Sequence, residues 1–583
     1  MADVTDTAEL VVENDVMVPM RDGVRLRTDI FRPAGPGPFP VLLQRYPYTP
    51  RDGISAMFAK IIARQGYAVI VQSCRGRFGS EGEFYPLVPD VEDGYDAVEW
   101  AGTQPWSTGR VGMWGMSYSG FSQWAAAIAR PPHLTALAPF TCGWDWSDST
   151  WYYAPGVLHL GLTLSWSGLM TTEEADRRGI PSPLPGFAAG GRLMDEGGLG
   201  DPEKQAELLR LEMAETRGML DRRPLRDAAE LRDLAPWFRD HCDHDDGNDP
   251  YWRRISAAAH ADSIDLPVFH LAGWYDFFAK GNLDVYTTLA HHGATERTRE
   301  TQRLVVGPWN HNCAQIRPDA DQNAGMFVDF GPDAPVMRFF AHHLKGELPD
   351  YQREEPPVRL YVMGDNVWRE EREWPLARTR WTPYYLRTDG VRSLSTRAPG
   401  DEEPDRYVYD PSDPVPGSLR TGATYGDPVD LDAVAGRPDV LVYSTPPLEA
   451  EIEVTGPVTL ELWASSSVEN TDFTAKLIDV FPDGAAVPVC QGVVRTGHGV
   501  TEPRTPGTPY RYEISLWSTS TVFKAGHRVR LDISSSEFPT YDLNPNTGER
   551  ITHATTDRTV PAQQRVYHDE LRPSRLVLPV IPR

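Results

Sequence analysis

A serine with the setting of a nucleophile lies in residues 111 to 120, which read Val-Gly-Met-Trp-Gly-Met-Ser-Tyr-Ser-Gly. This is a short apolar run that ends in Gly-x-Ser, the order expected where a strand turns sharply into a helix. The backbone at such a turn is cramped, and Gly115, Ser119 and Gly120 supply the small residues that it needs. The usual motif has glycine at the position of Ser119, so this sequence does not match it fully. The prediction that Ser117 is a nucleophile therefore rests on the strand before it and the helix after it. The alternative is an ordinary Gly/Ser turn.

Two further residues have the types that a nucleophilic serine requires, a base and an acid that orients the base. In one large class of α/β enzymes the chain order is serine, acid, histidine, each just past a strand of the sheet. Asp276 follows the apolar run Pro267–Leu271, and His311 follows the run Leu304–Gly307. Because both lie at predicted strand ends in that order, we expect Asp276 to orient His311 and His311 to take the serine's proton.

The oxyanion of a tetrahedral intermediate needs hydrogen-bond donors, and two candidates follow from the sequence. The Ala-rich segment Phe121–Arg130 reads as a helix whose N-terminus points at the serine, which leaves the amide of Tyr118 able to donate. The run Pro40–Gln44 reads as a strand and leads to Tyr48, whose hydroxyl could be the second donor. A packed aromatic side chain is the commoner explanation for such a tyrosine, and the residues alone leave both explanations open.

These residues require a sheet whose strands end at one edge, and residues 1–143 carry that pattern. Val11–Pro33 reads as a hairpin with its turn at Asp22-Gly23. Predicted strands and helices then alternate over Pro40–Gln44, Ser55–Arg64, Tyr67–Val71, Val91–Ala101 and Leu134–Pro139. Alternation of this kind predicts an α/β fold, with a mostly parallel sheet and helices on both faces.

Changes of pattern divide the chain into domains. Residues 1–143 are the first part of an α/β-hydrolase domain, and residues 144–250, rich in aromatic and helical signals without strand alternation, read as an inserted helical cap. Residues 251–355 resume the alternation and complete the domain. Residues 356–583 carry many strands separated by Pro, Gly and Asp turns, beginning with Val358–Val362, and predict an all-β domain of the sandwich or jelly-roll type.

Composition and charge narrow the range of functions. The 583 residues are too many for one hydrophobic core, and a hydrophobic fraction of 40% is ordinary for globular domains. The net charge of -25 disfavours nucleic acid and anionic membranes as partners. The five cysteines are dispersed without metal-ligand spacing, which favours reduced thiols in a cytoplasm, and no signal peptide or transmembrane run is visible.

Taken together, these motifs resemble the cocaine esterase and X-Pro dipeptidyl-peptidase superfamily of serine hydrolases (the CocE/NonD type), and most closely its bacterial cocaine esterase branch. The matching segments run in one order along essentially the whole chain and are Met17–Gly23, Arg45–Tyr48, Arg75–Glu83, Gly115–Gly120, Gly273–Asp276, Val306–His311, Val362–Gly364, Asp472–Leu477 and Ser534–Pro539. The resemblance implies Ser117 as nucleophile, His311 as general base and acid, and Asp276 as its orienting acid. It also implies an oxyanion hole formed by the Tyr48 hydroxyl and the Tyr118 amide.

The same resemblance implies an aromatic acyl pocket. Trp151 and Trp166 of the cap, and Phe278 just after the acid, occupy the positions of the branch's pocket aromatics, and packing within the cap is the alternative role for all three. The implied reaction is hydrolysis of small-molecule esters through an acyl-enzyme, without a metal or cofactor. A homodimer is expected by analogy only.

Two other functions stay open at this point. An amide-directed member of the superfamily (an X-Pro dipeptidyl-peptidase, a β-lactam acylase or an amino-acid ester hydrolase) needs an anion for the α-ammonium group of its substrate, and Glu173, Glu174 and Asp176 could supply one. A non-catalytic binding protein would instead use the β domain as a carbohydrate-type module. The segment His241–Asp249 is rich in metal-ligand residue types but lacks the register of a calcium loop or a zinc site, so we interpret it as a structural loop.

Overall fold

The computed structural model describes residues 9–48, 53–189, 202–220, 222–311, 313–321, 329–417, 430–498, 504–555 and 557–583. Two large sheets organise them, one of ten strands and one of eleven. A third sheet of two short strands lies within the cap, which is inserted between two strands of the ten-stranded sheet.

The ten-stranded sheet is parallel through its centre. Its strands are β1 (Leu10–Pro19), β2 (Arg25–Pro33), β3 (Phe39–Tyr46), β4 (Ala68–Ser73), β5 (Ser107–Met116), β6 (Leu134–Phe140), β9 (Val268–Tyr275), β10 (Gln302–Asn310), β11 (Val358–Val362) and β12 (Val367–Glu371), while β7 (Tyr152–Ala154) and β8 (Val157–Leu158) belong to the cap. The spatial order is β1-β2-β4-β3-β5-β6-β9-β10-β11-β12, and every neighbouring pair from β4 to β11 is parallel. The antiparallel hairpin of β1 and β2 extends one edge, and β12 forms the other.

Helices cover both faces of this sheet because consecutive strand residues point to opposite sides. The helices are α1 (Ile54–Ala63), α2 (Asp90–Gly102), α3 (Tyr118–Ala129), α4 (Leu160–Arg178), α5 (Pro202–Leu220), α6 (Pro236–Asp243), α7 (Pro250–Arg253), α8 (Ala279–His292), α9 (Glu296–Glu300), α10 (Pro335–Phe340), α11 (Tyr351–Glu354) and α12 (Leu431–Ala435), with a further helical turn over residues 185–189. Single turns of 3₁₀ or π helix add Leu225–Asp227, Ala258–Ser263, Ala341–Lys345 and Ile551–His553. On β3, Val41 and Leu43 lie in the hydrophobic cluster that contains residues of α2, α3 and α8, whereas Leu42 lies in the cluster that contains residues of α1 and α10. None of the helices in the described ranges combines the length and apolar character that crossing a bilayer requires.

The cap shares its core with the sheet rather than forming a separate one. Trp151, Trp237 and Phe238 of the cap belong to the same hydrophobic cluster as residues of α2 and α3 and the strand residue Val41. The cap is mainly helical, as the sequence predicts, but it also contains the antiparallel hairpin of β7 and β8 directly before α4. Strands of two or three residues are too short to produce the alternation by which a strand is recognised in a sequence.

The eleven-stranded sheet forms the C-terminal domain. Its strands are β13 (Arg380–Asp389), β14 (Val391–Ser395), β15 (Asp405–Tyr409), β16 (Leu441–Ser444), β17 (Ile452–Ser466), β18 (Asp472–Val480), β19 (Ala486–Arg495), β20 (Tyr510–Phe523), β21 (Arg528–Ser534), β22 (Ala562–Tyr567) and β23 (Arg575–Ile581). They follow the order β15-β22-β17-β23-β13-β14-β16-β21-β18-β19, and the long strand β17 also pairs with β20. The predicted fold class is confirmed, an α/β-hydrolase domain with an inserted cap, followed by a mostly-β domain.

The strand Val358–Val362 lies in a different sheet from the one predicted from the sequence. Val358–Val362 was expected to open the β domain at residue 356, but as β11 it pairs in parallel with β10, with Val358 opposite Leu304. β12 then adds to the same sheet, so the second sheet begins only at β13. The strand β11 is buried at nearly every position, which is typical of strands in parallel sheets. The sequence shows this burial but does not show which distant strand β11 pairs with.

A buried ion-pair cluster joins the cap to the β domain. Arg495, at the end of β19, makes bidentate pairs with Asp472 (2.9 and 2.7 Å) and with Asp542 (3.1 and 2.9 Å). It also donates to the Gly156 carbonyl of the cap, while Asp542 accepts from the Leu158 amide at 3.0 Å, just before α4 begins. Burial by itself would lower the pKa of Arg495, but the two carboxylates raise that pKa above its ordinary value. The cluster therefore fixes the position of the first turn of α4.

We expect Arg495→Met to lower the free energy of unfolding by about 3–5 kcal/mol, because it leaves Asp472 and Asp542 buried without their cation. The matched control is Arg511→Met, since Arg511 pairs with Glu461 at 3.1 Å while 48% of its side chain is exposed, and this change should cost about 1 kcal/mol or less. Urea unfolding followed by circular dichroism measures both. A free energy of unfolding equal to that of the wild type in Arg495→Met would show that the buried cluster does not stabilise the fold.

Candidate active site

Three parallel strands bring the predicted catalytic residues to one edge of the first sheet. Ser117, Asp276 and His311 are each the first residue after a strand, β5, β9 and β10 respectively. Because parallel strands end at the same edge, the three turns meet there. The position of each residue follows from the order of the strands rather than from its distance along the chain.

The three side chains form one hydrogen-bonded series. His311 Nδ1 lies 2.8 Å from Asp276 Oδ2, and His311 Nε2 lies 3.2 Å from Ser117 Oγ. Asp276 is buried, and its other carboxylate oxygen accepts from the Phe278 amide at 2.7 Å. An ionised carboxylate can only accept, so the Nδ1 proton is donated to Asp276 and Nε2 is left to accept from the serine hydroxyl.

The turn at Ser117 is backbone-strained and tightly packed. Ser117 has φ of 58° and ψ of -123°, in the region that favours glycine. A Cβ at Gly115 (φ +136°) would lie 2.6 Å from Ser119 Cβ, and a Cβ at Gly120 would lie 2.4 Å from Cys142 Sγ. The small residues around the serine are therefore required by contacts that a larger side chain would violate.

Both predicted oxyanion donors lie at this edge of the sheet. Tyr118 opens α3, so its amide is one of the first-turn N–H groups that have no carbonyl acceptor within the helix. The Tyr118 side chain turns into the core, where its hydroxyl donates to Asp90 at 2.6 Å and accepts from the Leu87 amide at 2.9 Å. Tyr48 lies just beyond the end of β3, and its hydroxyl accepts from Trp166 Nε1 at 3.0 Å.

The three predicted pocket residues all make aromatic contacts around the site. The Trp166 ring lies nearly parallel to the Tyr118 ring, with centroids 6.0 Å apart and an interplanar angle of 14°. Trp151 meets Trp166 edge-on at 6.3 Å, and Phe278 meets His311 edge-on at 5.3 Å. Trp151 and Phe278 are buried, whereas Trp166 is partly exposed. Phe278 therefore contacts the hydrogen-bonded series directly, and Trp166 contacts the two predicted oxyanion donors. Trp151 reaches the site through Trp166 and also packs against Trp237 and Phe238 within the cap.

Phe277 contacts the histidine more closely than any residue that the sequence analysis proposed for the pocket. Its buried ring stacks on the His311 imidazole, with centroids 4.2 Å apart and planes 30° from parallel. A flat ring in this place restricts rotation of the imidazole. The sequence carried a signal for it, since Phe277 directly follows Asp276, but resemblance to pocket positions selected Phe278 instead.

The segment His241–Asp249 is only partly a loop, because His241–Asp243 form the end of α6 and the remaining residues lead to α7. Its contacts are structural. His241 is fully buried beside Trp151 and Trp252, with ring centroids 4.6 and 5.0 Å away, and burial holds its pKa well below the ordinary value. His244 Nδ1 lies 2.8 Å from Asp249 Oδ2. Among the residues that the structure describes, no three His, Cys, Asp or Glu side chains are grouped to hold a metal ion.

Two of the cap acids considered as an ammonium site are paired with arginines. Glu173 pairs with the buried Arg77, and burial lowers the pKa of Arg77 to about 10, which still leaves it charged at neutral pH. The buried Glu174 pairs with two arginines of its own helix at 2.7 and 2.6 Å. Asp176, the third, is exposed at the end of α4. The charges of Glu173 and Glu174 are therefore compensated within the protein.

The loop that follows His311 is joined to the β domain by a second buried cluster. Arg317 pairs with Asp479 of β18 at 3.0 Å and bidentately with Asp319 of its own loop at 2.8 and 2.9 Å. Asp479 also lies 2.8 Å from His527 Nδ1. The β domain thus contacts both the cap and the loop that carries the histidine.

An α/β-hydrolase sheet with serine, histidine and aspartate in series at its strand ends has the architecture of a serine hydrolase. The family sequence model for X-Pro dipeptidyl-peptidase (S15 family) matches residues 22–312. The family sequence model for the X-Pro dipeptidyl-peptidase C-terminal non-catalytic domain matches residues 352–577. The cocaine esterase of Rhodococcus sp. (strain MB1 Bresler) is 38% identical over 601 aligned residues, which cover 98% of this chain and 99% of that protein. The chain therefore belongs to the S15 family of X-Pro dipeptidyl-peptidases and cocaine esterase, and it is an enzyme of the serine-hydrolase class.

Solved structures share the whole architecture. The aminopeptidase from the marine sediment archaeon Thaumarchaeota archaeon superposes with a TM-score of 0.78 at 26% identity, covering 99% of this chain and 97% of that one. An α-amino acid ester hydrolase gives a TM-score of 0.78 at 25% identity with the same coverage. Both similarities extend through the cap and the β domain, so the three parts are a common arrangement and not a chance fusion.

We expect Gly120→Ala to lower ester turnover sharply, because the added methyl group would overlap Cys142 Sγ and displace the turn at Ser117. Overpacking of this kind costs about 1–3 kcal/mol. The double variant Gly120→Ala/Cys142→Ala should recover part of the turnover, since the sulfur is then gone. Gly218→Ala is the matched control, because nothing lies within 4 Å of a Cβ added there.

Steady-state hydrolysis of 4-nitrophenyl acetate compares the four proteins, and circular dichroism checks that each is folded. Full activity of Gly120→Ala would mean that the turn tolerates a side chain at this position, contrary to the contacts described.

Proposed function

We propose that this protein hydrolyses carboxylic esters of small molecules through an acyl-enzyme formed on Ser117. The observation that carries the proposal is the series Ser117–His311–Asp276, with its separations of 3.2 and 2.8 Å. It contains a nucleophile, a base and an orienting acid in line, the parts that acyl transfer requires. The identity of 38% with a cocaine esterase along nearly the whole chain supports an ester as the substrate.

In the first half of the proposed reaction, Ser117 Oγ attacks the carbonyl carbon while His311 Nε2 takes the hydroxyl proton. Asp276 accepts the Nδ1–H hydrogen bond and stabilises the imidazolium that forms. The carbonyl oxygen becomes an oxyanion that accepts hydrogen bonds from the Tyr48 hydroxyl and the Tyr118 amide. His311 then gives its proton to the leaving oxygen, which departs as an alcohol and leaves the acyl group on Ser117.

In the second half, water repeats the attack on the acyl carbonyl. His311 takes a proton from the water as its oxygen bonds to the carbonyl carbon, and the same two donors hold the new oxyanion. Collapse of the intermediate returns a proton to Ser117 Oγ and releases the carboxylic acid. The stacked ring of Phe277 supports a fixed imidazole plane through both halves.

An uncharged acyl group with an aromatic or small apolar substituent fits the proposed pocket. Phe278 offers an apolar ring beside His311, and Trp166, backed by Trp151, offers another beside Tyr48 and Tyr118. The acids Glu173 and Glu174 of the same cap helix as Trp166 are already paired with arginines, so they add no uncompensated charge to attract a cationic substrate.

A substrate with a free amino group is the second candidate. The identities of 25% to an α-amino acid ester hydrolase and 26% to an aminopeptidase, over 99% of this chain, favour it. Such a substrate needs an anion for its α-ammonium group, and the arginine pairing of Glu173 and Glu174 argues against both as that anion. A separate binding role for the β domain is less well supported, because Arg495 and Asp542 join it to the cap and Asp479 joins it to Arg317 of the His311 loop.

Ser117→Ala should reduce turnover of 4-nitrophenyl acetate and 4-nitrophenyl benzoate by about 10⁴–10⁶-fold, since the nucleophile is lost. The wild-type enzyme should cleave both esters and leave Gly-Pro-4-nitroanilide intact. Retention of most of the esterase rate in the alanine variant would refute the acyl-enzyme on Ser117. Cleavage of the anilide that depends on Ser117 would instead support the second candidate, in which the substrate has a free amino group.

Tyr48→Phe should lower kcat for 4-nitrophenyl benzoate by about 10²–10³-fold with little change in KM, because an oxyanion donor acts in the transition state. Tyr46→Phe is the matched control: it removes a hydroxyl from the same short segment and should change kcat less than about fivefold. Equal kcat values for Tyr48→Phe and wild type would exclude the Tyr48 hydroxyl as an oxyanion donor.

A further inference from the structure

The hydrogen bond between Trp166 and Tyr48 has a fixed direction. An indole nitrogen can only donate, so the Trp166 Nε1–H donates to the Tyr48 hydroxyl oxygen, 3.0 Å away. A phenol hydroxyl has one proton of its own, and an N–H directed at its oxygen turns that proton away from the donor. Donation into the oxygen also polarises the O–H bond and strengthens it as a donor to a third group.

The indole of Trp166 is held in place by rings on several sides. It lies nearly parallel to Tyr118, and Trp237 contacts it at a centroid distance of 5.0 Å with a tilt of 54°. Phe84 lies 6.5 Å away on the core side. The indole therefore keeps its orientation relative to Tyr118, whose amide is the other proposed oxyanion donor.

A buried arginine connects the backbone before Tyr48 to the helix of Trp166. Arg77 Nε donates to the Pro47 carbonyl at 2.9 Å, and the same guanidinium pairs with Glu173 of α4. Arg77 is 2% exposed and lies over the Phe84 ring at 5.0 Å. A hydrogen bond weakens steeply when its geometry changes, and these contacts hold α4 at a constant distance from the Tyr48 segment.

We propose that Trp166 is a positioning residue of the oxyanion hole, whose indole N–H directs the Tyr48 hydroxyl proton toward the oxyanion and strengthens it as a donor. The inference rests on the proposed function of Tyr48. It assigns to the cap a part in stabilising the transition state, in addition to forming a wall of the acyl pocket.

Trp151 allows the two roles of a cap tryptophan to be separated. It belongs to the same aromatic group, 6.3 Å from Trp166, but its buried indole N–H has no hydrogen-bond acceptor within the described part of the chain. A phenylalanine at either position removes an N–H and shrinks the ring. Only the change at Trp166 breaks a bond to Tyr48.

The test uses the full chain, 4-nitrophenyl benzoate and Trp166→Phe. We expect kcat to fall about tenfold with little change in KM, the effect of one lost hydrogen bond that matters in the transition state. The inhibition constant of benzeneboronic acid, whose serine adduct carries the oxyanion, should rise by about the same factor, while that of benzoate stays near its wild-type value. Replacement of Trp166 by benzothienylalanine, with sulfur for N–H in a ring of similar shape, should reproduce the kcat loss and serves if the phenylalanine variant misfolds.

A double-substitution cycle supplies the decisive readout. Tyr48→Phe should cost much less in the Trp166→Phe background than in wild type, whereas in the Trp151→Phe background it should cost its full wild-type factor. A full Tyr48 factor in both Trp166 variants overturns the positioning role and leaves the proposed function standing. A change in KM alone also overturns it, since that identifies a pocket wall. If Tyr48→Phe leaves the wild-type kcat unchanged, the oxyanion role of Tyr48 fails, and this inference with it.

Discussion

The strained backbone at Ser117 is the constraint on which the rest of the site depends. A positive φ at a residue with a side chain costs of the order of 1–3 kcal/mol, and the close contacts at Gly115 and Gly120 hold it in place. This turn places the hydroxyl above the edge of the sheet. Asp276 and His311 reach it because β9 and β10 end at that same edge. The cap and its aromatic rings are arranged around a geometry that the sheet has already determined.

The β domain supports this geometry from two directions. The cluster of Arg495 and Asp542 fixes the start of the cap helix α4, and the pair of Arg317 and Asp479 fixes the loop after His311. Both pairs are buried, so each carboxylate depends on its arginine and a loss of either partner is costly. The domain acts as a frame for the two parts of the site that the α/β sheet does not hold directly.

The sheet, the cap, the β domain and the members of the hydrogen-bonded series could be predicted from the sequence because each depends on local signals. Apolar runs mark strands, small residues mark the turn at Ser117, and residue types at strand ends mark Asp276 and His311. The sheet assignment of Val358–Val362 could not be predicted, since strand pairing joins distant segments. The stacking of Phe277 on His311 depends on how the turns after β9 and β10 pack together. The bond from Trp166 to Tyr48 depends on how the cap packs, and no periodicity encodes a contact across 118 positions.

The bonds that hold the beginning of α4 also bear on how substrate range diverges among relatives. The helix α4 begins at Leu160, two residues after Leu158, whose amide donates to Asp542. At a rise of about 1.5 Å per residue, Trp166 lies about 9 Å along the helix axis from Leu160. A change of tilt at that end of the helix would displace the indole, which lies further along the axis. Mutations in the C-terminal domain, which the family model describes as non-catalytic, would therefore reshape the proposed acyl pocket without altering the turn at Ser117.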